Sequence, residues 1–208
     1  MNRNEITFDV DLGVEPGLLT FDDSNVFFLS DTHFGHKNII KYSNRPFSDI
    51  PEMNLAMQER WHNTVGPDDI LIHCGDVCFT STNEMNSILD SLPGYKVLVK
   101  GNHDWDRGKK KFRDLNFDYI TDKLHFTHNG IQYIMTHVPV ADDQLQAGKL
   151  LNIHGHIHNK KLETGLHICA CVELIDYTPV TLPKLIEANL KWVNDPDNTH
   201  REEERRTI

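Results

Sequence analysis

Cysteine is scarce in this chain, and its spacing excludes more than its number does. The four thiols are Cys74, Cys78, Cys169 and Cys171. None falls in a CxxC pair, so zinc-ribbon and thioredoxin-like chemistry drop out. Reduced thiols in a cytosolic protein are the expectation. No stretch approaches the roughly 20 apolar residues of a membrane-spanning helix, and Met1 to Val10, with Arg3, Glu5 and Asp9, lacks an apolar run of signal-peptide length. A soluble, cytoplasmic chain without a membrane partner is therefore expected. Positive charge is also in deficit. Lys and Arg number 21 against 31 Asp and Glu, a formal net charge of -10, which disfavours indiscriminate binding to nucleic acid. Internal repeats and low-complexity linkers are absent. At 208 residues the chain suits one domain with its own core and leaves little room for a second.

Histidine, by contrast, is plentiful at thirteen, and several of these residues recur in one context. Predicted strands Val26 to Ser30, Ile70 to Gly75, Tyr95 to Gly101, Ile131 to Thr136 and Leu150 to Gly155 are each followed at once by Asp31, Asp76, Asn102, His137 and His156 respectively. Residues at the carboxyl ends of strands in an α/β sheet meet in one crevice, because every such strand leaves the sheet on that side. His33 and His158 stand two residues beyond Asp31 and His156 and add two imidazoles. Carboxylate, imidazole and amide donors without thiolate suit manganese first, with iron, zinc or nickel also compatible. The pattern reads as a two-metal hydrolytic site. There a bridging carboxylate, for which Asp76 is the choice, holds two ions that acidify a shared water and clamp an ester. Protonation of the leaving oxygen needs an uncoordinated acid, and His103, directly after Asn102, fits.

The remaining patterns describe a mixed α/β chain. Residues 1–25 form an arm or added strand, 26–194 the domain, and 195–208 a charged tail with both signs of charge. Met53, Ala56, Met57, Arg60 and Trp61 recur at helical spacing over Pro51 to Thr64. Ser81 with Glu84 makes a capping box for a second helix reaching Leu92. Asn129-Gly130 between Leu124 to His128 and Ile131 to Thr136 predicts an antiparallel hairpin. Leu166 to Leu174 reads as another strand, and Leu182 to Val193 as a closing helix. His73 and His154, each inside a strand before a ligand block, read as packed histidines.

Five blocks, Asp31-Thr32-His33, Gly75-Asp76, Gly101-Asn102-His103-Asp104, Thr136-His137 and Gly155-His156-Ile157-His158, together resemble the signature of the calcineurin-like metallophosphoesterases, in order. The opening stretch from Ser30 to Ile40 is similar to a compact bacterial and phage branch. The resemblance covers residues 26 to 180. It implies a two-sheet α/β sandwich flanked by helices and a dinuclear site. One metal would sit on Asp31, His33, Asp76 and His158, the other on Asp76, Asn102, His137 and His156. It assigns His103 to leaving-group protonation and phosphoryl contact, with Asn102 also near the phosphate. Asp104 then either orients His103 or is a loop acid bonded to nearby backbone. His36 is read as a substrate contact or a histidine behind the ligands, and Arg45 as a weaker substrate-binding candidate.

The expected activity is hydrolysis of a phosphodiester or phosphomonoester, with a small nucleotide-type metabolite as substrate. Selectivity would come from loops 34 to 50, 104 to 116 and 138 to 149. A nuclease or nucleic-acid end-processing enzyme is the alternative. Arg107, Lys109, Lys110, Lys111 and Arg113 favour it and the net charge weighs against it. A non-catalytic scaffold on the same fold would have lost a ligand or His103, and neither loss is present. The Gly-Asp-x-Val-Asp-Arg-Gly block of protein phosphatases is missing, since Gly75-Asp76 continues as Val77-Cys78-Phe79.

Overall fold

Hydrophobic runs of two kinds, continuous and alternating, become two facing sheets. The computed structural model describes residues 4–9, 19–105, 114–160, 162 and 164–194; the basic stretch 107–113 and the tail 195–208 lie outside them. Strands Glu5–Phe8 (β1) and Leu19–Asp22 (β2) pair antiparallel, so these two segments extend a sheet. Val26–Leu29 (β3), Ile70–His73 (β4), Tyr95–Val99 (β5) and Tyr119–Thr121 (β6) run parallel. Leu124–His128 (β7) and Ile131–Thr136 (β8) form the hairpin, with Asn129 and Gly130 at φ 51° and 76°, as that two-residue turn requires. Leu150–His154 (β9) and His167–Cys169 (β10) continue the second sheet in parallel. Val180–Thr181 (β11) returns antiparallel to β3. The strand orders are β11-β3-β4-β5-β6 and β10-β9-β8-β7-β1-β2.

β3 and β4 are buried at every position, as expected of strands covered on both faces. β7 alternates instead, burying Leu124, Phe126 and His128. The sheets meet through aromatic rings: Phe28 of β3 lies 5.7 Å from Phe126 of β7, which in turn contacts Phe8 and Tyr133 at 5.6 and 4.9 Å.

Four helices complete the described fold: Lys37–Tyr42 (α1), Ile50–Thr64 (α2), Thr82–Ser91 (α3) and Leu182–Asn194 (α4). Asp49 caps α2 by accepting from the Glu52 amide at 2.9 Å, and the helix buries Met53, Met57 and Trp61 on one face. Ser81 caps α3 through the Glu84 amide, which satisfies a donor that the first turn leaves open. α4 packs against β3, β10 and β11.

Two expectations need correction, and one strand was not expected. Leu166 to Leu174 is not one strand. Ordered pairing stops at Cys169, the Val172 amide donates to the Ser30 carbonyl at 3.1 Å, and Val172–Leu174 winds into a 3-10 turn. The chain has crossed to the other sheet there, so it cannot continue its ladder. The 34 to 50 loop contains α1, and β6 was not anticipated because three residues carry too little periodicity.

Candidate metal centre

The loops after β3, β4, β5, β8 and β9 converge where the two sheets open. Their backbones are laced together. The Asp31 amide donates to the Gly75 carbonyl at 3.0 Å, the His33 amide to Asp76 at 3.1 Å, and the Gly155 amide to His137 at 2.9 Å. Asp31, His33, Asp76, His156 and His158 all have positive φ, between 50° and 72°. For residues other than glycine this left-handed conformation is uncommon, though Asp and His tolerate it better than most. Such outliers concentrate at functional sites. Glycines let the loops touch: a Cβ on Gly155 would collide with Ser30 Oγ and Asp31 Oδ2, and one on Gly75 would lie 2.6 Å from the Gly101 amide nitrogen.

Two groups of donors result. Asp31, His33 and His158 form one, and Asp76, His137 and His156 the other, each with ligand atoms within 4.8 Å of one another. Asp76 Oδ2 stands between them, 3.8 Å from His33 Nε2 and 3.3 Å from His137 Nε2. Asn102 joins the second group, its Oδ1 3.0 Å from His137 Nε2. The seven positions named from the sequence as ligands are thus brought to one place.

The donors are prepared one atom at a time. Asp31 Oδ2 accepts from Ser30 Oγ at 2.6 Å, the His156 amide at 2.9 Å and Cys171 Sγ at 3.3 Å. Its other oxygen, Oδ1, is buried without a hydrogen-bond partner, as are both ring nitrogens of His33. A buried acceptor left open beside 2 imidazoles is costly unless something else satisfies it, and Oδ1 lies 3.6 and 3.7 Å from His33 Nε2 and His158 Nε2. Divalent ions fit this set of carboxylate and imidazole donors, with its buried unpaired acceptor. His137 Nδ1 donates to the Cys74 carbonyl at 2.7 Å, which turns Nε2 toward Asp76.

Burial alone would raise the Asp31 carboxyl, but the surrounding His33, His137 and His158 rings outweigh it and hold it well below the usual range. Burial likewise works to lower His137. The Asp76 and Asp31 carboxylates overcome it and push the imidazole up to about 9. His73 behaves oppositely: burial drives it down to about 3. Its neutral ring accepts from the Gly75 amide at 3.1 Å and donates to Thr32 Oγ1 at 2.9 Å, and Thr32 donates on to the Val77 carbonyl. It is a packed brace between ligand loops.

Other expected site residues fall in different places. His103 lies at the mouth, its side chain 41% exposed, with Nε2 4.0 Å from Asp76 Oδ2. His36 stacks on Phe79 at 3.9 Å and 11°, beside His33 and Tyr42. Arg45 is no substrate contact. Its side chain is fully buried, and its guanidinium donates to the carbonyls of Asp31 and Thr32 and to Glu173. Asp104 takes the loop-acid role: its carboxylate accepts from the amides of Asp76, Val77 and Gly101 at 3.0, 2.8 and 2.7 Å. Three backbone donors occupy it, so it holds the β4 loop rather than aiming His103. Glu173 was missed. Its signal in the sequence was a lone charge within the apolar run Ile168 to Ile175.

A two-sheet sandwich with paired Asp and His groups at its open edge is the arrangement expected of the metallophosphoesterase family. The chain belongs to the calcineurin-like phosphoesterase family, whose model matches residues 24–208. It is 34% identical to Uncharacterized protein MJ1445 of Methanocaldococcus jannaschii, covering 82% of this chain and 97% of that protein. The Gene 66 protein of Mycobacterium phage D29 is 28% identical, over 69% of this chain and 83% of its own. Among solved structures, a protein of unknown function, AQ665 from Aquifex aeolicus, superposes with a TM-score of 0.58 at 29% identity, covering 78% of this chain and 97% of its own. Among the described residues no helix is long and apolar enough to cross a membrane.

Proposed function

We propose that the chain hydrolyses a phosphate ester of a small nucleotide-type molecule at a two-ion centre, with His103 as general acid. The observation that carries this reading is the single oxygen, Asp76 Oδ2, set between two donor groups and 4.0 Å from the half-exposed His103 ring. Asp31, His33, Asp76 and His158 would hold one ion, and Asp76, Asn102, His137 and His156 the other. Manganese is the first choice among divalent ions for such oxygen and nitrogen donors. Bound there, the ions supply an acidified water and a clamp for phosphoryl oxygens.

The protein's own groups do the rest. His103 reaches the mouth without being built into either donor group, so its ring can give a proton to the oxygen that leaves as the P–O bond breaks. Its exposed edge lets solvent return that proton. Asn102 and His103 together face the phosphoryl group. Burial of Asp31 and Asp76 keeps the carboxylates from being solvated by bulk water, which strengthens their pull on cations. Tyr42, 74% exposed and edge-on to His36, offers an aromatic surface to a ring-bearing substrate. Aromatic surfaces of this kind stack nucleobases.

The test is hydrolysis of bis(p-nitrophenyl) phosphate and p-nitrophenyl phosphate by metal-stripped protein, with and without manganese. Turnover restored by manganese is expected, and its ester preference separates diesterase from monoesterase. His103→Ala should retain its metals and lose about 10² to 10⁴ in turnover. Full activity of that variant on a poor leaving group would remove His103 from the reaction. If the substrate is instead a nucleic acid, activity will fall steeply with added salt.

A further inference from the structure

Among the described residues, the Asp31, His33 and His158 group has a buried ion pair behind it and the other group does not. Glu173 Oε1 accepts from His158 Nδ1 at 3.0 Å and from Arg45 Nε and Nη2 at 2.9 and 2.8 Å. The same guanidinium donates to the Asp31 carbonyl at 2.6 Å and the Thr32 carbonyl at 2.8 Å. One arginine therefore grips both ends of the donor group: the backbone that carries Asp31 and, through Glu173, the ring of His158. Tyr177 lies over the guanidinium at 5.7 Å. Glu173 and Arg45 come from segments 128 residues apart, and their side chains are 5% and 0% exposed. In the second group, His137 leans on a backbone carbonyl, and Asp104 serves only amides.

We propose that Glu173 and Arg45 are a positioning pair that sets the affinity of the Asp31, His33 and His158 site for its ion while leaving the Asp76, Asn102, His137 and His156 site nearly unaffected. This rests on the two-ion reading above. Donation of Nδ1–H to a carboxylate fixes the His158 tautomer with Nε2 free for a metal and makes that nitrogen more basic. Two charges buried together and joined through Glu173 Oε1 hold their geometry, because loss of either leaves the other stranded. An ion at this site thus binds to a ring and a carboxylate already aimed at it.

The experiment is calorimetric titration of metal-free full-length protein with manganese. His158→Ala and His137→Ala assign the two binding steps. Glu173→Gln keeps an acceptor for His158 and removes the charge. It should weaken the step lost in His158→Ala by about 10- to 100-fold and leave the other within about threefold, with a lowered melting temperature because the Arg45 charge stays buried. Arg45→Lys keeps a cation beside Glu173, so it supplies the test should Glu173→Gln fail to fold; about a tenfold loss at the same step is expected. Equal weakening of both steps, or no change in either, in a folded variant overturns the proposal. Two steps in the wild type with neither variant selective defeats this inference alone, whereas absence of two steps in the wild type defeats the two-ion reading itself.

Discussion

The two donor groups are chemically alike and held differently. Around Asp31 and His158 the support is a buried ion pair, Arg45 with Glu173, joined by Ser30 and Cys171. Around Asp76 and His137 it runs through backbone groups: the Cys74 carbonyl behind His137, and the Asp76, Val77 and Gly101 amides gathered on the Asp104 carboxylate. The difference follows from the fold. Asp76 and Asn102 leave adjacent parallel strands, β4 and β5, whose loops are near enough to brace each other through amides. His158 lies beyond a turn from the second sheet, and its ring is fixed by the side chain of Glu173, 15 residues further on.

Asp76 belongs to both groups, so its loss should break the comparison altogether. Asp76→Asn removes the charge between the sites; metal content should fall below two ions per chain and hydrolysis to background. Two fully occupied ions in this variant would show that Asp76 is not shared.

Asp104→Ala should harm folding more than chemistry. Three buried amides would lose their acceptor, at roughly 1–3 kcal/mol each where no water replaces it, and a denaturant titration should register about 3 kcal/mol or more. A loss below about 0.5 kcal/mol would mean that the β4 loop is not held as described.

Protons should separate the sites more gently. His137 in the metal-free fold is pushed up to about 9, above its unfolded value near 6.5. Its contribution to apo stability is therefore fully present below pH 6.5 and lost as pH rises through about 9. A metal must displace that proton, so affinity at the Asp76 and His137 site should rise about tenfold per pH unit between pH 7 and 9. A flat profile by calorimetry would contradict the raised His137.

Much of this was written in the order of apolar runs and polar stops. β3, β4, β5, β8 and β9 each end in a donor, and strand geometry alone brings such residues to one edge. The Asn129-Gly130 hairpin and the Ser81 cap were legible because their local chemistry leaves few alternatives. Arg45 was misread because a lone arginine near a metal block looks like an anion binder, and only the fold shows it buried under the Asp31 loop. Asp104 admitted two readings until three amides were seen to surround it. The left-handed backbone at Asp31, His33, Asp76, His156 and His158 runs against local preference and is held by tertiary contacts, which propensity does not carry.

The most direct test of the two-ion centre is the metal content of manganese-loaded, desalted protein by mass spectrometry, with hydrolysis measured on the same sample. Two ions per chain, together with turnover that disappears when the metal is stripped and returns with it, is the predicted result. Zero or one ion in folded, fully active protein would contradict a centre shared through Asp76.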